Sequence, residues 1–145
     1  LVDLPYIDEH TVEVAASAEA VWDAVLATFH RSLSRLAWKL GTVALGCDPP
    51  LDAAIPGFRT VEQDRPRLLV LQGRHRFARY GIVVRVEPTA AGARCRLESR
   101  AAFPGPHGAA YRLAVVSSGA HVVAVRHLLQ RIRHSAETAA PARQG

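Results

Sequence analysis

Proton transfer near neutral pH is the chemistry this chain is best stocked for, because it carries seven histidines. His75 stands in the run Arg74-His75-Arg76-Phe77 between two strand-like segments. Facing inward it is the best general acid or base available; facing outward it joins a basic surface cluster with Arg74 and Arg76. His121, His127 and His134 share a helical stretch near the C-terminus. At about 100° per residue His127 and His134 fall on one face and His121 does not. His121 follows Gly119 beside an apolar stripe, from which it can reach a pocket or stay half exposed. Tyr80 and Tyr111 matter because a buried phenol seeks a partner and can orient a ligand. His75, Tyr80 and His121 are therefore the candidate acid/base residues, each weighed against a plain packing or surface role. None of the last-helix histidines has i,i+4 spacing and no H-E-x-x-H occurs, so no metal is expected. No G-x-S-x-G elbow is present. Ser117-Ser118-Gly119-Ala120-His121 brings serine near histidine only along a helix. Without G-x-G-x-x-G or a P-loop, no nucleotide and no other cofactor is expected. Cys47 and Cys95 are far apart and outside any C-x-x-C, which fits two thiols in a reducing cytosol and a cytoplasmic protein. Arg112 and Glu98 can form an ion pair at a pocket rim or remain surface groups.

The elements that must position these residues are legible from periodicity. Residues 8–15 alternate, with His10, Val12 and Val14 on one side, and predict a strand. Ser17 is an N-cap, with Glu19 in the first turn of a helix carrying Val21, Trp22, Val25, Leu26 and Phe29. A second short amphipathic stretch follows, with Leu33, Leu36, Ala37 and Leu40, and Gly41 ends it. Thr42–Leu45 reads as a short strand and the rest of 42–57, rich in proline and glycine, as a loop that can serve as a lid. Four more strand runs cover 58–64, 67–73, 76–87 and 94–103. Asp64-Arg65-Pro66 and the segment 88–92 supply turns. Tyr80, Ile82, Val84 and Val86 share a face, while Arg94, Arg96, Glu98 and Arg100 share another. That is an antiparallel sheet with one side to a core and one to water. The run from Phe103 to Gly108 breaks the pattern. A long helix is expected from about Ala110 to about Thr138, with Val122, Val125, Leu129, Ile132 and Ala136 as its stripe and a kink or delay at 115–119.

Composition bounds the rest. The 145 residues suit one domain over 1–145, with a frayed tail from about 139. Lysine and arginine total 18 against 13 aspartate and glutamate, a net charge of +5. The arginines are spread from Arg31 to Arg143 among acidic residues, the pattern of a solvated surface and not of nucleic-acid binding. No apolar run approaches the ~20 residues of a membrane span, so no membrane insertion is expected. Leu1–His10 lacks the basic start of a signal peptide.

The order is strand, two short helices, antiparallel strands and a long last helix. With Ala16–Val25 reading A-S-x-E-x-V-W-x-A-V and the ending GAHVVAVRHLLQRIRHSAE, the chain resembles the helix-grip (SRPBCC) superfamily. That group includes START domains, the birch-pollen allergen and polyketide cyclase/dehydratases. GFRTVEQDRPRLLVLQGRHRFARYGIVVRVEP and RLESRAAFPGPHG look like an uncharacterised bacterial branch of it. The likeness departs at 42–57, where the usual first hairpin is short or irregular. It implies an α+β fold, a curved antiparallel sheet wrapped around a long C-terminal helix, and an apolar cavity between them. Such pockets measure about 300–1,000 Å³. The expected lining is Phe77 or Tyr80, Ile82 and Val84 from the sheet and Tyr111, Val115, Val122 and Val125 from the helix, with Trp38, Phe58 and Phe103 closing the ends. The implied partner is a hydrophobic small molecule of lipid, polyketide-like or isoprenoid kind, with a homodimer left open. The alternative is a cyclase- or dehydratase-like enzyme using one acid/base residue in the cavity. A third reading, a docking module using the sheet face or last helix, calls for a large apolar patch or salt-dependent binding.

Overall fold

Period-two alternation becomes strands where one face can be buried. In the computed structural model the strands are β1 (Tyr6–Val14), β2 (Arg59–Asp64), β3 (Leu68–His75), β4 (Ala78–Thr89) and β5 (Gly92–Ala102). Of these β2, exposed along its length, joins the others as an edge strand. The description covers residues 3–39, 55 and 57–139, without the side chains of 33–39. The Trp38 side chain, Gly41, the strand expected over Thr42–Leu45, Cys47, most of the following loop and the tail beyond 139 lie outside the described residues. The strands form one antiparallel sheet in the order β1-β5-β4-β3-β2. The β4–β5 hairpin runs further than its turn residues imply, pairing Thr89 with Gly92.

Ser17 caps the first helix as expected, its Oγ accepting the Ala20 N–H at 3.2 Å. The helix, α1 (Ala18–Lys39), is one 22-residue element where two short ones are expected. No glycine or proline interrupts it. The C-terminal helix departs the other way, because it is broken. It consists of α2 (Gly105–Arg112), a π-helical turn (Leu113–Ser117) and α3 (Ala120–Ala139). The two arms meet at 54°. The Pro-Gly segment read as a breaker is the start of α2, with Pro106 in the first turn, where its missing N–H costs nothing. The break falls at the expected kink. The Ser118 hydroxyl turns back to the Ala114 carbonyl and accepts the Ala120 N–H at 3.3 Å, and Gly119 takes φ +81°, a conformation glycine adopts freely.

α1 and α3 lie side by side on one face of the sheet, α1 against β4 and β5 and α3 against β1. Between them and the sheet Val21, Trp22, Val25, Phe29, Leu69, Val84, Leu97 and Ile132 are fully buried. Each such side chain contributes about 1.5–3 kcal/mol of transfer free energy. The opposite face is charged. Glu98 bonds Arg85 at 2.9 Å and also Arg100, and Arg94 pairs with Glu13. Among the described residues a small apolar cluster, Leu4, Val70 and Val83, interrupts that face. The α+β class, the sheet and the long C-terminal helix agree with a helix-grip-like arrangement. Among the described residues no single helix is long and apolar enough to cross a membrane.

Candidate functional site

Exposure rises in the same direction along β1, β3 and α3, and along β4 as far as Tyr80, beyond which Ala78 is buried again. On β4 Val86 and Val84 are buried, while Ile82 and Tyr80 are half-buried. On β1 Val14 and Val12 are buried, His10 and Asp8 half-buried; on β3 Leu69 and Leu71 give way to Gly73 and His75. On α3 Ile132, Leu129 and Val125 are buried, but Val122 and His121 are not fully covered. Register sets these residues in rows: Asp8, Ser99, Ile82 and Leu71 lie opposite one another across four strands, with Ser99 and Leu71 buried and Asp8 and Ile82 half-buried. Among the described residues, packing is close under α1 up to Phe29 and under the C-terminal part of α3 and stops short toward the π-helical turn.

Aromatic rings gather at the open end. Phe58 meets Tyr80 edge-on at 5.0 Å, and His75 lies 5.5 Å from Tyr80 and 4.9 Å from Tyr111. Phe77 stacks on Tyr111 at 6.0 Å, and Phe103 lies 6.2 Å from the same ring. These are ordinary distances for attractive aromatic pairs. They attach α2 to the β3–β4 turn. Tyr80 donates its hydroxyl to the Gly57 carbonyl at 2.9 Å. Its ring lies over Gly73, where an added Cβ would sit 2.5 Å from Tyr80 Cε2 and 2.1 Å from the Gly57 oxygen. His75 accepts the Phe77 N–H on Nδ1 at 3.1 Å, and burial holds its pKa below the usual histidine value.

Across the sheet from the rings, a carboxylate joins two imidazoles. Asp8 Oδ2 lies 3.0 Å from His10 Nε2 and Oδ1 lies 3.2 Å from His121 Nε2. Burial alone would raise the Asp8 pKa, but the His10 hydrogen bond and the charge and hydrogen bond of His121 outweigh it and lower it. Ser99, buried opposite Asp8, helps hold it down from nearby, although its hydroxyl makes no hydrogen bond of full geometry.

The residues singled out in the sequence thus divide into groups. Phe58, His75, Phe77, Tyr80, Phe103 and Tyr111 are brought together by ring contacts. Ile82, Val115 and Val122 stand half-buried on β4, the π-helical turn and α3. Val84 and Val125 belong to the closed core. Of the acid/base candidates, His121 is bonded to a described carboxylate, that of Asp8. Asp8 and His10 were missed as site residues, although the alternation already set His10 on the apolar side of β1. The suggested Arg112–Glu98 pair does not form: Glu98 faces the charged side, and Arg112 lies 6.0 Å over the Phe103 ring. Its place is taken by Arg85 and Arg100, which share Glu98's face of the sheet. Cys95 is buried, and burial pushes its thiol up to about 12, which leaves it inert as a nucleophile. Among the described residues no group of three or more histidine, cysteine or acidic residues could hold a metal ion.

Two hollows form, the first bordering this end at Gly73 and Tyr80 and the second away from it. One, of 470 Å³, opens at the β2–β3 edge by Arg59, Gln72, Arg74, Arg79 and Tyr80. The other, of 550 Å³, is an open groove between α1 and α3 lined by Thr28, Arg31, His127, Arg131 and His134.

Solved structures of similar fold include protein CV1439 from Chromobacterium violaceum, 14% identical, with a TM-score of 0.53 over 92% of this chain and 99% of that one. Protein MLL2253 from Mesorhizobium loti is also 14% identical, with a TM-score of 0.53 over 88% of this chain and 94% of its own. At that identity the likeness concerns the fold. No protein-family model and no curated protein matches the chain.

Proposed function

We propose that the chain binds a hydrophobic small molecule, of lipid, polyketide-like or isoprenoid kind, at the open end between the sheet and the C-terminal helices. The observation that carries this is the common direction of exposure on four elements, ending in a lining of rings and aliphatic side chains. Half-covered Ile82, Val122, Tyr80 and Tyr111 present apolar surface that a guest would remove from water. Burying about 200 Å² of such surface is worth about 5 kcal/mol before the cost of association. A second reading, a cyclase- or dehydratase-like enzyme, is favoured by the bond between His121 and Asp8, since a carboxylate fixes an imidazole's tautomer for proton transfer. Product formed from a bound substrate separates the two readings.

Nile red, a neutral apolar dye, tests the binding reading. Its fluorescence should rise saturably with wild-type protein, and Val122→Trp, whose indole occupies the opening, should weaken binding about tenfold or more. A wild type that does not bind, or a folded variant that binds equally well, overturns the proposal. Native mass spectrometry of protein purified from its own host then gives the mass of the natural guest.

A further inference from the structure

We infer that the open end selects apolar ligands bearing a neutral hydroxyl donor, an alcohol or phenol, and that His10 and His121, oriented by Asp8, accept that donor. The inference rests on reading the open end as a ligand site and adds the head group the site prefers.

An ionised carboxylate can only accept hydrogen bonds. Both oxygens of Asp8 face an imidazole Nε2, so each histidine must donate through Nε2. A neutral imidazole that donates through one nitrogen carries a lone pair on the other. Here that is Nδ1, and among the described residues neither His10 nor His121 makes a further hydrogen bond. The site therefore offers two acceptors backed by a negative charge. The arginine nearest in register, Arg100, is on the opposite face, bonded to Glu98 and to the Leu4 carbonyl. A hydroxyl gains a partner in this setting, an ether gains none, and a carboxylate meets Asp8, which among the described residues is paired with no arginine or lysine.

Spacing limits the size of the guest. Asp8 and Ile82 share a row two strands apart, and at about 4.8 Å per strand the separation is about 10 Å. Tyr80 stands in the next row. A body of about two fused rings spans from the imidazoles to the aromatic side.

Calorimetric titration of the full chain at pH 8 with 2-naphthol, 2-methoxynaphthalene and 2-naphthoate tests this. These share one apolar body and differ in head group: donor, no donor and anion. Naphthol should bind about tenfold tighter than either of the others. In the double variant His10→Phe, His121→Phe, naphthol and the ether should bind alike while Nile red is still bound. Equal affinity of naphthol and the ether for the wild type overturns the inference even if the variant fails to fold, and so does a naphthol preference that survives in the folded variant. Failure of all three and of Nile red to bind overturns instead the ligand-site reading on which it rests.

Discussion

His75 is fixed by contacts of two kinds: the Phe77 amide on its Nδ1 and a T-shaped contact with the Tyr111 ring, centroids 4.9 Å apart. The accepted N–H needs the Nδ1 lone pair, and burial depresses the pKa of the ring in the folded chain. A depressed folded value means that the unfolded chain binds the proton more readily. The contribution to stability is complete above the unfolded histidine value, about 6.5, and is lost as pH falls through the lower folded one. His75→Phe keeps the ring and removes the titration. Thermal unfolding from pH 7.5 to 5 should then show a smaller loss of Tm in the variant than in the wild type, and an identical profile would remove His75 as a source of acid sensitivity. Asp8, whose pKa is also lowered, adds acid lability of the same sign at lower pH. The ring residues were legible in the sequence because large apolar side chains at strand ends have few alternatives to clustering. The carboxylate between two imidazoles was not. Its members lie on β1 and α3, 113 positions apart for Asp8 and His121, and only the register of β1 on β5 and the seat of α3 bring them together.

Among the elements, the strands were legible to within about two residues of their ends, since one face of each except the exposed edge strand β2 carries buried apolar side chains. The helices were harder because continuity depends on local competition. α1 runs through a stretch with no breaker, whereas the long last helix breaks where Ser118 and Gly119 offer the backbone another partner and another conformation. The β3–β4 hairpin shows how a single position can set an element's edge. Gly73 lies opposite Tyr80 and leaves room for both the tyrosine ring and the Gly57 carbonyl. A methyl group there would meet backbone as well as side chain, so flexing the ring alone does not relieve it. Gly73→Ala should destabilise the fold by about 1–3 kcal/mol in chemical denaturation, the usual cost of overpacking. It should also weaken Nile red binding, because the displaced ring lines the opening. A variant as stable as the wild type would show that the hairpin edge adjusts freely.

Over the whole molecule, the position of the opening depends on α1. The family likeness implies a hollow beneath the C-terminal helix, but Trp22, Phe29, Leu129 and Ile132 close the space under most of α3. The side chains become half-covered only near Val122, where α3 turns away into the π-helical turn and α2. Periodicity identifies which residues face inward; it does not say which inward residues a second helix will cover, and so the closed and open ends could not be told apart beforehand. Stability and binding should accordingly separate along one axis. Ile132→Ala removes a fully buried side chain from the closed end and should cost about 2–5 kcal/mol, through lost transfer energy and a cavity that relaxes only in part. Ile82→Ala makes the same chemical change where the side chain is already half in water, and should cost about 1–1.5 kcal/mol. For Nile red the order reverses: affinity should fall several-fold in Ile82→Ala and stay near wild type in folded Ile132→Ala. Urea denaturation and dye titration on the same two proteins decide the matter. Equal stability losses, or a dye that responds more to Ile132 than to Ile82, would mean that the molecule is packed evenly from end to end.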